Sequence, residues 1–309
     1  MDEDRELELA ELLAEVRRID VQSHRLVNNV LAGGYSSVFR GAGLEFDTVR
    51  EYEEGDDPRS VDWNVTARVG RPFVKTFVDE RELTVLFALD LSASMGGGFG
   101  VWSARQTAAR VCACLALAAI RNNDKVGLVA FSEGVDKYVA PAKGVGHGLR
   151  IVRDCLALRG RGRGTQIAPA LEFVSRVVRR RAVVFLVSDF LGGGWRDTLN
   201  ICARRHDVIA VRLLAPELLP PASLSRAAGL LRVRDPETGA EAVLDWRSRK
   251  VRSAYADRVT AWREETEDDL NRAKVDRMDV PITRHLDKDM VARPILKFFR
   301  MREMRGAKR

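Results

Sequence analysis

The sequence predicts an α/β fold with a doubly wound, mostly parallel sheet and helices on both faces, on two observations. Short apolar runs without polar alternation recur from residue 83 onward, at Leu83 to Leu89, Val126 to Phe131, Ala182 to Val187 and Val208 to Leu214. Strands covered on both faces read this way. Between the runs lie stretches with apolar residues at helical spacing. Strand and helix therefore alternate, the order that builds a parallel sheet with crossover helices.

Before that domain, residues 4 to 18 alternate Glu and Arg around Leu7, Leu12, Leu13 and Val16, which predicts an amphipathic helix in a first segment, 1–33. Leu44 to Glu53 and Pro72 to Val78 are strand-like and flank a polar, turn-rich stretch from Glu54 to Trp63. Residues 34–82 thus read as a small β-containing module.

The α/β domain is expected over 83–303. Its first helix carries Ala104, Ala108, Val111, Leu115, Ala118 and Ala119, small enough to lie close on a sheet. Gln166 to Arg180 and Trp195 to Arg205 are the next helices. Leu231 to Leu244 reads as an inserted hairpin near 230–245 with Pro236 and Gly239 in its turn. A long charged helix from about Trp246 to Arg272, a last strand over Asp279 to Thr283 and a helix from Asp287 to Met301 precede a basic tail, 304–309.

The 309 residues, 46% hydrophobic, suffice for a large core without disulfides or a structural metal. Four dispersed cysteines read as reduced thiols, and Cys112 and Cys114, two apart in a helix, face different ways and lack zinc spacing. The four histidines give no metal or triad spacing and read as surface or helix-end residues. No apolar stretch reaches the roughly 20 residues of a membrane span. The acidic start, Met1 to Glu6, is unlike a signal peptide, so a cytoplasmic location is expected.

A net charge of +7 and a pI near 9.5 invite nucleic acid. However, Arg159 to Arg163 is interleaved with glycine, Arg179 to Arg181 closes a helix where cations suit the macrodipole, and no aromatic residues accompany either run. Both read as solvated surface, and no nucleic-acid partner is expected.

The first buried strand ends in Asp90-Leu91-Ser92-Ala93-Ser94, and the run from Ala182 ends in Ser188-Asp189. In a doubly wound sheet these strands are neighbours at the crevice where the chain reverses direction across the sheet. Two carboxylates and two hydroxyls would meet there. Thr165 is expected to begin the next helix, with Pro169 in its first turn and its hydroxyl facing the same crevice. A set of hard oxygens favours Mg²⁺ or Mn²⁺ over zinc. The aspartates would neutralise the dication and the hydroxyls add no charge, which leaves the ion electrophilic toward an incoming carboxylate.

Asp90-x-Ser92-x-Ser94 with Thr165 and Asp189 resembles the metal-ion-dependent adhesion site (MIDAS) of von Willebrand factor A-like domains. The preceding segment, Phe39 to Phe46, Val49-Arg50-Glu51-Tyr52, Gly55 to Trp63 and Ala67-Arg68, resembles the signature of the bacterial family labelled domain of unknown function fifty-eight. Members of that family join such a segment to a von Willebrand A-like domain, and the resemblance runs from about residue 20 to 300. It implies that the serines and threonine ligate the ion while the aspartates act partly through water. It further implies a non-enzymatic adaptor whose cation captures an acidic residue, with a MoxR-type AAA+ ATPase or its client as partner in a chaperone-like role. Many members carry transmembrane helices before the signature; this sequence shows none, which implies a soluble form.

In the signature, Arg50, Glu51, Asp56, Asp57, Pro58, Arg59, Asp62 and Trp63 read as structural: an ion-pair network clamping the β module to the main domain, with Trp63 as apolar anchor. A direct ligand site is the alternative. The competing function for an oxygen-lined cation is a Mg²⁺-dependent phosphatase or hydrolase. Against it, Ser92 stands where a haloacid-dehalogenase-like enzyme needs its second Asp, and no Gly-x-x-x-x-Gly-Lys loop is present. His147, the one histidine that can be brought near the crevice, reads as a polar loop residue.

Overall fold

The computed structural model describes residues 45–53, 55–78, 82–218, 229–285, 287 and 289–306. The expected helix in 1–33, the signature before residue 45 and the end of the basic tail lie outside them. Two compact units result, one within residues 39–82 and one from residue 83 onward.

In the smaller unit, β1 (Glu45–Glu51) pairs antiparallel with β2 (Phe73–Val78), with Glu51 opposite Phe73. The stretch between them is more than a turn. Asp57 accepts from the Arg59 amide at 2.9 Å to open one 3-10 turn at Pro58–Ser60. Asp62 then accepts from the amides of Asn64 and Val65 at 3.0 and 3.3 Å, capping a short helix α1 (Trp63–Val69). Seven residues without apolar periodicity give no helical signal, so caps define this helix. Gly70 ends it at φ 73°, the left-handed conformation glycine adopts without cost.

The larger unit begins with β3 (Thr84–Asp90), α2 (Ala104–Arg121), β4 (Lys125–Phe131), β5 (Val135–Ala142) and α3 (Val145–Ala157). It continues with α4 (Ile167–Val177), β6 (Val183–Ser188), α5 (Arg196–Arg205) and β7 (Asp207–Leu214). The hairpin β8 (Leu230–Arg234) and β9 (Glu241–Asp245), α6 (Arg249–Arg272), β10 (Asp276–Pro281) and α7 (Ala292–Gly306) complete it. Six strands form one sheet in the order β10-β7-β6-β3-β4-β5, all parallel except the edge strand β5. This is the doubly wound, mostly parallel sheet predicted from the apolar runs.

Alternate residues of each strand serve opposite faces. Leu86, Ala88, Val184, Leu186 and Ala210 pack with Ile167, Leu171 and Val174 of α4 and Leu199 of α5 in one buried cluster. Val85, Phe87 and Leu89 are equally buried on the other face, where α2 lies against β3 and β4. A capping box starts α2: the Gln106 amide donates to the Ser103 hydroxyl and the Ser103 amide to the Gln106 side chain. Cys112 and Cys114 are buried in that helix, and all four cysteines are free thiols.

β5 and α3 have no counterpart in the sequence reading, because β5 is half exposed and paired on one side only. His147 falls in α3, with Nε2 2.8 Å from the Val126 carbonyl near the start of β4, at the opposite end of that strand from the crevice. His206, read as a surface or helix-end residue, does follow α5 but is 2% exposed, with Nδ1 accepting from the Ala182 amide. None of the described helices is long and apolar enough to cross a membrane.

Candidate metal centre

β3 and β6 run side by side with Leu89 opposite Val187, so Asp90 and the Ser188-Asp189 pair leave the sheet together. Asp90, Ser92, Ser188 and Asp189 are all at most 3% exposed. Both oxygens of Asp90 are held. Oδ1 accepts from the Ser92 amide at 2.8 Å, and Oδ2 accepts from the Ser188 hydroxyl at 2.6 Å. The Ser92 and Ser94 hydroxyls lie 3.1 Å apart. The Ser92 hydroxyl also favours the charged form of Asp90, and the Ser94 hydroxyl that of Asp189. Asp90, Ser92, Ser94 and Asp189 thus gather their oxygens at one end of the sheet.

Asp189 Oδ1 also accepts from the Leu191 amide at 3.0 Å. Between them Phe190 sits at φ 60°, a strained conformation for a bulky residue that costs about 1–3 kcal/mol. It is pinned by the Ser188 hydroxyl, which accepts from its amide at 3.0 Å, and by the Trp262 indole, which donates to its carbonyl at 3.0 Å.

Thr165 comes to the same crevice by another route. It does not open α4: that helix starts at Ile167 after Gln166, with no side-chain cap. Instead the 159–165 loop is laced to the end of β4. The Glu133 carboxylate accepts from the amides of Arg163 and Gly164, each at 3.0 Å, and the Ser132 hydroxyl accepts from Gly162 at 3.1 Å. Ala93 donates to the Arg163 carbonyl at 2.9 Å, which ties the loop to the motif after β3. The arginines at 159, 161 and 163 face solvent while the glycines between them turn inward. A Cβ at Gly160 would stand 2.4 Å from the Leu91 carbonyl, so only glycine lets the backbones approach this closely. On its other side Thr165 meets the loop after β6, where a Cβ at Gly192 would be 2.9 Å from the Thr165 carbonyl.

A residue absent from the sequence reading completes the cluster. Glu237, in the β8–β9 turn, accepts from the Thr165 hydroxyl in a short hydrogen bond and from the Thr165 amide at 3.3 Å. No local pattern marks it, since the contact spans 72 residues.

Burial, reinforced by the like charge of Asp189, pushes the Asp90 carboxyl up to about 7. Burial also raises Asp189, and the nearby Glu237 carboxylate adds to the effect. Among the described residues no group of three or more His, Cys, Asp and Glu side chains is placed to hold a metal ion. The donor set is therefore two carboxylates with three hydroxyls. Two buried acids that disfavour their own ionisation, lined by neutral oxygens, fit a hard dication.

The signature residues brace turns within their own unit. Arg50 pairs with Asp56 at 2.6 Å, and Asp56 also accepts from the Glu53 amide at 2.9 Å. Glu51 meets Arg71 at 3.4 Å on the surface. Asp57 and Asp62 are caps, and Pro58 and Arg59 form the 3-10 turn. Trp63 is 73% exposed. It is the first residue of α1.

Fold and site together define a doubly wound α/β protein with an all-oxygen cluster at the carboxyl ends of two central strands. The chain belongs to the family described as Protein of unknown function DUF58, whose model matches residues 48–265. Uncharacterized proteins of Mycobacterium bovis (Mb1516) and Mycobacterium tuberculosis (Rv1480) are each 29% identical over 208 residues, 66% of this chain and 66% of theirs. The match thus spans just under two thirds of those relatives. Among solved structures, the conserved hypothetical protein BatB from Bacteroides thetaiotaomicron is similar at TM-score 0.45 and 17% identity, covering 74% of this chain and all of that one. Proximal thread matrix protein 1 from the mussel byssus, with a zinc-occupied MIDAS motif, is similar at TM-score 0.34 and 19% identity, covering 43% of this chain and 38% of that one.

Proposed function

We propose that the chain is a metal-dependent protein-interaction module. Asp90, Ser92, Ser94, Thr165 and Asp189 would hold Mg²⁺ or Mn²⁺, and the bound ion would supply an electrophile for an acidic side chain of a partner protein. The observation that carries this reading is the pair of buried carboxylates, Asp90 and Asp189, at the ends of adjacent strands, with the Ser92 and Ser94 hydroxyls 3.1 Å apart beside them. Hydroxyl ligands add no charge, and a dication bound by few protein groups keeps water positions that a further carboxylate can take. The partner in this proposal is a MoxR-type AAA+ ATPase or its client, as the family resemblance implies, and the role is chaperone-like adaptation rather than catalysis. A cytoplasmic setting belongs to the proposal and agrees with four buried free thiols.

Thermal unfolding in chelator and in Mg²⁺ or Mn²⁺ tests the site. An ion at about 100 times its dissociation constant stabilises by roughly 2.7 kcal/mol, and Asp90→Ala should lose that gain. Wild type that gains nothing from any divalent ion counts against the site. Partner capture that survives Ser92→Ala and chelator counts against an ion-mediated contact.

A further inference from the structure

Glu237 reaches the cluster from an element that otherwise has little reason to be there. β8 and β9 are largely exposed, with Leu230 and Val243 more than 60% open to solvent, so apolar burial does not hold the hairpin tip against the sheet. A lone two-stranded hairpin is marginally stable. Yet the turn is firmly built. Asp235 accepts from the amides of Glu237 and Thr238 at 2.9 and 3.3 Å and from the Thr238 hydroxyl at 2.7 Å, and Gly239 takes φ 75°. This order presents one carboxylate to the Thr165 hydroxyl and amide, beside Asp189, whose negative charge repels it. An acid held next to another acid at a site suited to a cation is placed as an incoming acidic side chain would be.

We propose that Glu237 is a tethered carboxylate occupying the position at which the ion-loaded site receives an acidic side chain, so that an external acid must displace the β8–β9 turn. The proposal rests on the metal-site reading above. Its consequence is an internal competitor: the apparent affinity for any external acid is lowered by the fraction of molecules in which Glu237 is docked.

The test uses the full chain and Mn²⁺, followed by calorimetry and by water-proton relaxation of the bound ion, with acetate as the external acid. Glu237→Gln should still bind Mn²⁺, with about one additional exchangeable water on the ion. Acetate should remove that gain and bind about tenfold or more tightly to the variant than to wild type. Asp235→Ala, which loosens the turn and leaves Glu237 in place, should fall between them. Folding of Glu237→Gln is not at issue, because the bonds Asp235 makes in the turn do not use the Glu237 side chain. Equal relaxation and equal acetate affinity in wild type and Glu237→Gln, with Mn²⁺ bound to both, overturn the role of Glu237 and leave the metal site standing. Mn²⁺ that binds neither protein overturns the metal-site reading and this proposal together.

Discussion

The Ser188 hydroxyl donates to Asp90 Oδ2 at 2.6 Å across the ends of two adjacent parallel strands, and the same hydroxyl accepts from the Phe190 amide at 3.0 Å. One side chain thus ties the first carboxylate of the cluster to the strained residue that follows the second.

Ser188→Ala should therefore act on both. It leaves a buried Asp90 oxygen and a buried amide without that partner, at a cost of about 1–3 kcal/mol. Urea unfolding in chelator measures the loss. A stability within about 0.3 kcal/mol of wild type is evidence that the bond matters little.

The ion-free protein should lose stability as pH rises. With the Asp90 carboxyl pushed up to about 7, the folded state holds a proton that the unfolded chain releases near pH 4. This contribution is complete below the unfolded value and is lost as pH rises through the folded one; the raised Asp189 works in the same direction. The urea midpoint in chelator should fall between about pH 4 and 7, and Asp90→Asn should flatten the trend. Ion affinity should rise over the same interval, because Mn²⁺ must displace the proton. A midpoint climbing with pH in wild type and unchanged in slope in Asp90→Asn contradicts this assignment.

Gly160→Ala should loosen the Thr165 loop. The new Cβ meets the Leu91 carbonyl at 2.4 Å, and backbone cannot yield as a side-chain tip can. Overpacking of this kind costs about 1–3 kcal/mol. The expected signature is a lower melting temperature together with weaker Mn²⁺ binding, since the displaced backbone carries Thr165. Unchanged binding at reduced stability separates the loop from the ion site.

Arg212, 1% exposed, donates from Nε and Nη2 to the two Asp279 oxygens at 2.9 and 3.0 Å. Asp279 is 31% exposed and also meets Arg277 at 3.2 Å, so Arg212→Ala leaves no unpaired buried charge and should cost about 1–3 kcal/mol, whereas Asp279→Ala, which leaves the buried guanidinium without its carboxylate, should cost more. Chemical denaturation of wild type and the two variants checks the ordering. Arg212→Ala proving less stable than Asp279→Ala refutes it.

Features that repeat locally could be read without a structure. Four apolar runs gave the central strands, small residues at helical spacing gave α2, and Asp90, Ser92, Ser94 and Asp189 were legible because each sits at the end of such a run. β5 and α1 were not, since a half-exposed edge strand and a seven-residue capped helix carry no periodicity. The burial of His206 was decided by the packing around it. Only the tertiary structure chose the partners of Thr165: Glu133 lacing its loop, Gly192 passing behind it and Glu237 facing it from 72 residues away. The physical reason is range. Alternation and capping act over a few residues, whereas a hydrogen bond between distant segments exists only after the sheet has fixed where each loop leaves it.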